Sequence, residues 1–228
     1  MLDFGFYNMD CMDGMKEFPD KYFDLAIVDP PYGIGASDYT RGNTQYGKAA
    51  APSKNYGRKS WDDHKPSTDY FNNLFRVSKN QIIWGGNHII AEIGRDSSCW
   101  IVWDKITGNN GYADCELAYT SFKTAVRVFR YKWQGMIQEN MKHKEYRIHP
   151  TQKPVALYQW LLTHYAKDGD IILDTHVGSA SSLIACHNTH HKYVGFEIDP
   201  EYYAKAKKRL DAEEAQMNIF DFLGGEND

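Results

Sequence analysis

The chain lacks any run near the ~18 consecutive apolar residues that a membrane-crossing helix requires. Its start, Met1-Leu2-Asp3-Phe4, has neither the basic flank nor the apolar stretch of a signal peptide. No membrane partner and no export are therefore expected. Cysteine is scarce and scattered. Cys11, Cys99, Cys115 and Cys186 form no C-x-x-C pair, which speaks against a disulfide framework and a four-thiolate zinc site and for reduced thiols. There is no excess of base either. With 26 Lys and Arg against 30 Asp and Glu, the net charge of −4 does not by itself ask for nucleic acid. Internal repeats and low-complexity tracts are missing, which leaves one globular body of 228 residues with at most a small insert.

Charge is present in a pattern that the total conceals. Residues 37–60 hold Arg41, Lys48, Lys54, Arg58 and Lys59 against Asp38 alone. Residues 120–153 hold eight bases against Glu139 and Glu145, and the rest of the chain is acidic. Two basic segments on an acidic body are what local phosphate-binding patches look like; two solvated basic loops are the other reading.

Apolar periodicity alternates between strand and helix. Strands are expected at 4–9, 23–28, 81–84 and 99–103, with 115–120 and 124–131 as a strand pair. Helices are expected from the Ser67 cap to Val77, near 88–93, and from Pro154 onward. The sequence then reads strand 170–174, helix 179–187, strand 192–197 and helix 200–214. This order predicts an α/β fold: a doubly wound, mostly parallel sheet with helices on both faces. Residues 33–65 form one long loop without periodicity, and 132–150 is polar and irregular.

The unit 170–197 has the form of a nucleotide-binding half. Its first strand ends at Asp174, a Gly178-Ser179 turn opens the helix, and the second strand ends at Glu197, placed to accept hydrogen bonds from ribose hydroxyls. The turn reads Gly178-Ser179-Ala180-Ser181-Ser182, without the second and third glycines of a dinucleotide fingerprint. That favours a nucleoside cofactor without phosphates. Such a unit usually opens the fold, yet here it comes last. The strand beside 192–197 must then be Phe4–Met9, ending at Asp10, and the chain is circularly permuted with neighbouring ends.

Asp29-Pro30-Pro31-Tyr32 follows directly on the buried strand 23–28. Proline stops the ladder and leaves the Pro30 carbonyl with few internal partners. An exocyclic amine on a base is a poor nucleophile because its lone pair is delocalised into the ring. The Asp29 carboxylate and the Pro30 carbonyl could accept its two N–H groups and offset the positive charge that develops on attack. Tyr32 could stack on a base taken out of the duplex.

These residues carry a resemblance. Asp29-Pro30-Pro31-Tyr32 resembles the catalytic motif of the amino-group DNA methyltransferases. His149-Pro150-Thr151-Gln152-Lys153-Pro154 resembles their H-P-T-Q-K-P segment. Asp174-Thr175-His176-Val177-Gly178-Ser179-Ala180-Ser181 is similar to the D-P-F-x-G-S-G-T loop, with Thr175, His176 and Ala180 in place of Pro, Phe and Gly. Catalytic motif first and cofactor loop last is the order of the permuted β-group. The resemblance implies a Rossmann-like methyltransferase sheet with a small target-recognition insert, within one domain over 1–228. Residues 33–65 would be a DNA-cleft loop and 105–150 the target-recognition region.

It further implies S-adenosyl-L-methionine as cofactor and double-stranded DNA as partner, in the cytoplasm of a bacterium or for a phage acting there. Asp29, Pro30, Pro31 and Tyr32 would be catalytic. Asp10, Cys11, Thr151, Gln152, Lys153, Asp174, His176, Gly178, Ser179 and Glu197 would bind the cofactor, Lys153 at its carboxylate. Arg41, Lys54, Arg58, Lys142, Lys144 and Arg147 would contact DNA. No metal is implied, and His187, His190 and His191 read as a solvated helix end. Asp-Pro-Pro-Tyr is more typical of adenine-N6 enzymes. A cytosine-N4 enzyme, an RNA methylase and a non-catalytic nucleic-acid-binding module remain alternatives, and a homodimer and a cognate restriction endonuclease remain open as partners. Trp84-Gly85-Gly86-Asn87 is expected to line the cleft, and Trp103-Asp104-Lys105 to lie at its border.

Overall fold

The computed structural model describes residues 1–35, 59, 62–107, 113–134 and 137–224, with side chains described as far as residue 216. Most of the expected loop 33–65 lies outside the described residues, and Arg41, Lys54 and Arg58 with it. The elements run β1 (Gly5–Asn8), α1 (Cys11–Lys16), β2 (Phe23–Val28), α2 (Thr68–Val77), β3 (Ser78–Trp84), α3 (Gly86–Ile93), β4 (Trp100–Asp104), β5 (Cys115–Thr120) and β6 (Arg127–Arg130). They continue with β7 (Trp133–Gln134), β8 (Ile137–Gln138), α4 (Val155–Tyr165), β9 (Ile171–Asp174), α5 (Ser181–Asn188), β10 (Lys192–Glu197) and α6 (Pro200–Gly224). No helix among the described residues is long and apolar enough to cross a membrane.

Eight strands form one sheet in the order β1-β10-β9-β2-β3-β5-β4-β6. Only β5 runs against its neighbours. The strand Phe23–Val28 is an apolar run because both its faces are covered. Ala26 and Val28 pack under α1, α2 and α3 with Met15, Leu74 and Ile89. Leu25 and Ile27 face the other way, toward Leu157 and Leu161 of α4 and Ala185 of α5. Each such large side chain contributes ~1.5–3 kcal/mol through its burial. A third cluster seats Ala206 and Leu210 of α6 on Phe6, Leu183 and Ile184.

The permutation is as the sequence predicts: β1 pairs in parallel with β10, from Gly5 opposite Val194 to Asn8 opposite Glu197. From β9 the chain winds through α5 to β10 on one side. From β2 it winds through α2 to β3 on the other. Strands β9 and β2 are themselves neighbours. The strand order therefore reverses between them, and the crevice at their carboxyl ends is the place where such sheets bind ligands.

The structure departs from the sequence expectation in four places. Helix α1 was not foreseen; Asp10 caps it, its Oδ1 accepting the Met12 amide at 2.7 Å. Strands 115–120 and 127–130 are not each other's partners. Strand β4 lies between them, antiparallel to β5 and parallel to β6. Helix α6 runs on to Gly224 rather than ending near 214. The short hairpin β7–β8 lies within the stretch expected to be irregular.

Candidate active site

Strand β2 ends at Val28, and Asp29 to Gly33 turn over the carboxyl edge of the sheet. The turn is held from across the long loop. Asp62, almost wholly buried, accepts the Tyr32 amide at 2.7 Å and the Gly33 amide at 2.9 Å through the same Oδ1. Pro30 is buried, and its carbonyl accepts no hydrogen bond among the described residues. The Tyr32 ring stacks on His88, centroids 5.3 Å apart and planes 17° apart. It leans over Gly85, where an added Cβ would strike it; φ of +70° there also favours glycine. The Tyr32 hydroxyl donates to Asp29 Oδ1.

The other Asp29 oxygen belongs to a buried ion cluster. Lys153 Nζ lies 2.5 Å from Asp29 Oδ2, 3.1 Å from Glu116 Oε2 and 3.3 Å from the Tyr32 hydroxyl. Lys105 Nζ reaches Glu116 Oε1 at 2.5 Å. Two acids and two bases thus alternate in space. Burial alone would push Asp29, Glu116 and Lys153 toward their neutral forms. Burial pushes the Asp29 carboxyl above its ordinary value, Lys153 pulls it back, and Glu116 adds to the rise. Glu116 is held at about 2 because Lys153 and Lys105 outweigh its burial. Burial would lower Lys153, but the two carboxylates hold it above its ordinary value. Lys153, expected at a cofactor carboxylate, is turned in this structure to the Asp29-Pro30-Pro31-Tyr32 turn.

The other half of the crevice starts at Asp174, whose register partner is Gly195 of β10. Asp174 Oδ1 accepts the His176 amide at 2.9 Å, and Oδ2 accepts the Ser182 hydroxyl. Burial raises its carboxyl to about 7. The Glu197 carboxylate is oriented by backbone: Oε2 accepts the Gly178 amide and Oε1 the Asp199 amide, both at 2.9 Å. Gly178 has φ +56°, and a Cβ there would meet nothing nearer than the His149 ring at 3.8 Å. Ala180 keeps the left-handed turn with φ +62° although it is not glycine.

Where the family pattern has Pro-Phe, this chain makes a polar relay. Tyr70 of α2 shares a 2.7 Å hydrogen bond with Thr175 Oγ1, and Thr175 shares one of 2.9 Å with His176 Nδ1. Burial lowers His176 to about 4, so it is neutral near pH 7. Arg209 holds the turn from behind, donating to the Ser179 carbonyl at 2.7 Å and Ser181 Oγ at 2.9 Å. Ser179 Oγ faces Ser181 Oγ at 3.1 Å. Cys11 opens α1 next to Asp10; burial, with Asp10 beside it, raises its thiol to about 12.

The loop 149–154 bridges the two halves. Thr151 Oγ1 lies 3.1 Å from His149 Nδ1, and the His149 ring packs edge-on against Tyr202, with centroids 4.3 Å apart. Burial, reinforced by Lys153 and Arg147, lowers His149 to about 3. The Gln152 side chain is spent on the loop itself: Oε1 accepts the Ile148 amide at 2.9 Å, while the Gln152 carbonyl accepts Trp133 Nε1 at 2.9 Å. Lys142 and Lys144 are exposed, whereas Arg147 is half-buried and donates to the Pro150 carbonyl at 2.5 Å.

Glu116, Asp62 and His88 were not foreseen at the site. An acid near the start of the otherwise apolar strand Cys115–Thr120 was a visible anomaly that could have exposed Glu116. Asp62 and His88 carry no local signal; their partners lie far away in the chain.

A family model described as DNA methylase matches residues 102–208. The chain is 27% identical over 244 residues to the type II methyltransferase M.HpaI of Haemophilus parainfluenzae, covering 93% of this chain and 75% of that one. The solved M1.HpyAVI–SAM complex shares the fold with a TM-score of 0.58 at 20% identity, over 90% of this chain and 98% of the other. The PvuII DNA methyltransferase, named as cytosine-N4-specific, does so at 0.57 and 15%, over 97% and 93%. The doubly wound sheet is thus a Rossmann-like α/β fold, shared with these solved methyltransferases. The family-model match and the type II relatives support the amino-group DNA methyltransferase family for this chain.

Proposed function

We propose that the protein methylates adenine N6 in double-stranded DNA, using S-adenosylmethionine, with the target base turned out of the helix. The carrying observation is the Asp29 carboxylate beside the carbonyl of buried Pro30, which has no hydrogen-bond donor among the described residues, at the switch point between β2 and β9.

The residues present fit the cofactor. The turn at Gly178 leaves room where a Cβ would stand, and Glu197 is held at a strand end suited to ribose. Among the described residues Arg209 is the cation bonded to the turn, and it donates to the Ser179 carbonyl and the Ser181 hydroxyl. Asp10, Cys11, Thr151, His176, Gly178, Ser179 and Glu197 would hold the cofactor, with Asp174 and Gln152 shaping the turn and the loop. When bound, S-adenosylmethionine supplies a sulfonium-activated methyl group that a nitrogen lone pair can take.

The protein's own residues prepare the nitrogen. Asp29 and the Pro30 carbonyl accept the two amine hydrogens, which disfavours delocalisation of the lone pair and offsets the charge that grows on nitrogen. Tyr32, already stacked on an imidazole, offers the face on which an extruded base stacks, worth ~1–3 kcal/mol. Lys142, Lys144 and Arg147, with Arg41, Lys54 and Arg58, would meet DNA phosphates, and 105–150 with 33–65 would frame the cleft.

The test is incubation of the protein with duplex DNA and S-adenosylmethionine, then nucleoside mass spectrometry. N6-methyladenine is expected. N4-methylcytosine would transfer the reading to cytosine, preference for an RNA competitor would transfer it to RNA, and cofactor binding without any methylated nucleoside would overturn it.

A further inference from the structure

The reaction places positive charge on the target nitrogen, yet the structure sets the ammonium of Lys153 2.5 Å from the very carboxylate that must oppose that charge. A lysine there, uncompensated, would work against transfer. Glu116 meets this difficulty. Its Oε2 is buried, lies 3.1 Å from the Lys153 ammonium and has no hydrogen-bond partner among the described residues. Its Oε1 is tied to Lys105 at 2.5 Å, which fixes the side chain on β5, two strands away from Asp29.

We propose that Glu116 is a positioning residue that shares the Lys153 ammonium with Asp29, so that the Asp29 carboxylate keeps its field for the amine of the base. The inference rests on the methyltransferase reading above. Lys153 thereby orients Asp29 without cancelling it, and Lys105 in turn holds Glu116 in reach.

The test uses Glu116→Gln in the full chain, which retains shape and removes charge. Its turnover with duplex DNA and S-adenosylmethionine should fall roughly ten- to hundredfold. Cofactor affinity, read by calorimetry, should stay within about twofold of wild type, because Glu116 does not face the Gly178 turn.

The acid limb of kcat/KM adds a readout that a merely structural role would not move. Facing Asp29 are Tyr32 on its own turn, Lys153 before α4, Tyr158 on α4, Glu116 on β5, Tyr70 on α2 and Asp174 at the end of β9. The three phenols, raised by burial, stay neutral there, and Lys153 and Glu116 are the charges that act most strongly on Asp29. Glu116 raises Asp29, so its removal should move the acid limb to lower pH. The double variant Glu116→Gln/Lys153→Met removes the uncompensated ammonium and should recover part of the lost turnover.

Wild-type turnover with an unmoved limb in Glu116→Gln overturns the inference, as does a loss that the double variant leaves unrelieved. Should Glu116→Gln not fold, Glu116→Asp decides: drawing the charge back by one methylene must still shift the limb, and an unshifted limb overturns the inference. A wild-type protein that methylates nothing overturns the methyltransferase reading and this inference together, whereas a methylating wild type with an indifferent Glu116→Gln overturns this inference alone.

Discussion

Asp62 and Tyr32 stand thirty residues apart in the chain, and a single carboxylate oxygen of Asp62 receives the amides of both Tyr32 and Gly33. The turn proposed to be catalytic is therefore closed by a residue at the far end of the long loop that follows it. The two prolines before Tyr32 can donate nothing to the ladder, so the turn depends on this outside acceptor.

Asp62→Ala should lower stability by roughly 1 kcal/mol, the order of cost of leaving the two partly buried amide donors without their acceptor. Turnover should fall further than stability does, while cofactor affinity holds, because the Asp62 carboxylate accepts the amides of Tyr32 and Gly33 in the proposed base-handling turn. Asp62→Asn keeps an acceptor at Oδ1 and should restore most of both. Urea unfolding and turnover measured on the two variants check this; equal loss in both would show that charge rather than acceptance matters at residue 62.

Asp29→Ala separates chemistry from architecture. Lys153 keeps Glu116 as a partner when Asp29 is gone, so no ammonium is left buried alone. The variant should fold and bind S-adenosylmethionine as wild type does, and lose methyl transfer by at least ~100-fold. Radiolabel transfer and calorimetry on the same preparation give both quantities, and wild-type-like turnover would falsify the role given to Asp29.

Much of this was legible in the residues. The order of motifs required that 4–9 lie beside 192–197, and Asn8 does pair opposite Glu197. Strands with unbroken apolar runs, such as Phe23–Val28, declared their burial on both faces. The first helix was missed because Cys11–Lys16 is short and carries Gly14 in its middle; only the Asp10 cap marks it. The strand pair 115–120 and 124–131 was misjudged because adjacency in sequence favours a hairpin, whereas the sheet edge beyond β3 accepted β5 first and then β4.

Inside the site, motif residues announced themselves by type and spacing, but the Lys153 side chain did not announce its direction. A lysine between Gln152 and Pro154 can turn to either half of the crevice. The acid that helps to settle the matter, Glu116, lies on a strand whose neighbours were not deducible from local pattern.

Gly178→Ala isolates the cofactor turn. The new methyl meets nothing nearer than the His149 ring, so the structural cost is the left-handed backbone, ~1–2 kcal/mol. The methyl would, however, stand in the opening that the cofactor needs. Affinity for S-adenosylmethionine should drop at least ~10-fold, whereas the fold survives. Calorimetry beside thermal unfolding checks the split, and unchanged affinity would place the cofactor away from this turn.

Asp174 gives a prediction about pH. Its carboxyl sits at about 7 in the fold because burial outweighs the hydrogen bonds from Ser182 and the His176 amide. An unfolded aspartate titrates near ~3.9. Between those values the folded chain holds a proton that the unfolded chain has lost. The contribution of this group to stability is thus complete below about pH 4 and is lost as pH rises to about 7, at up to ~1.4 kcal/mol per pH unit. Asp174→Asn cannot titrate and should lack this slope. The difference in urea-unfolding free energy between wild type and Asp174→Asn should fall from pH 5 to pH 8 and level off beyond. A difference that stays constant over that range would mean that Asp174 is ionised throughout, with the Ser182 hydroxyl and the His176 amide bonding a carboxylate.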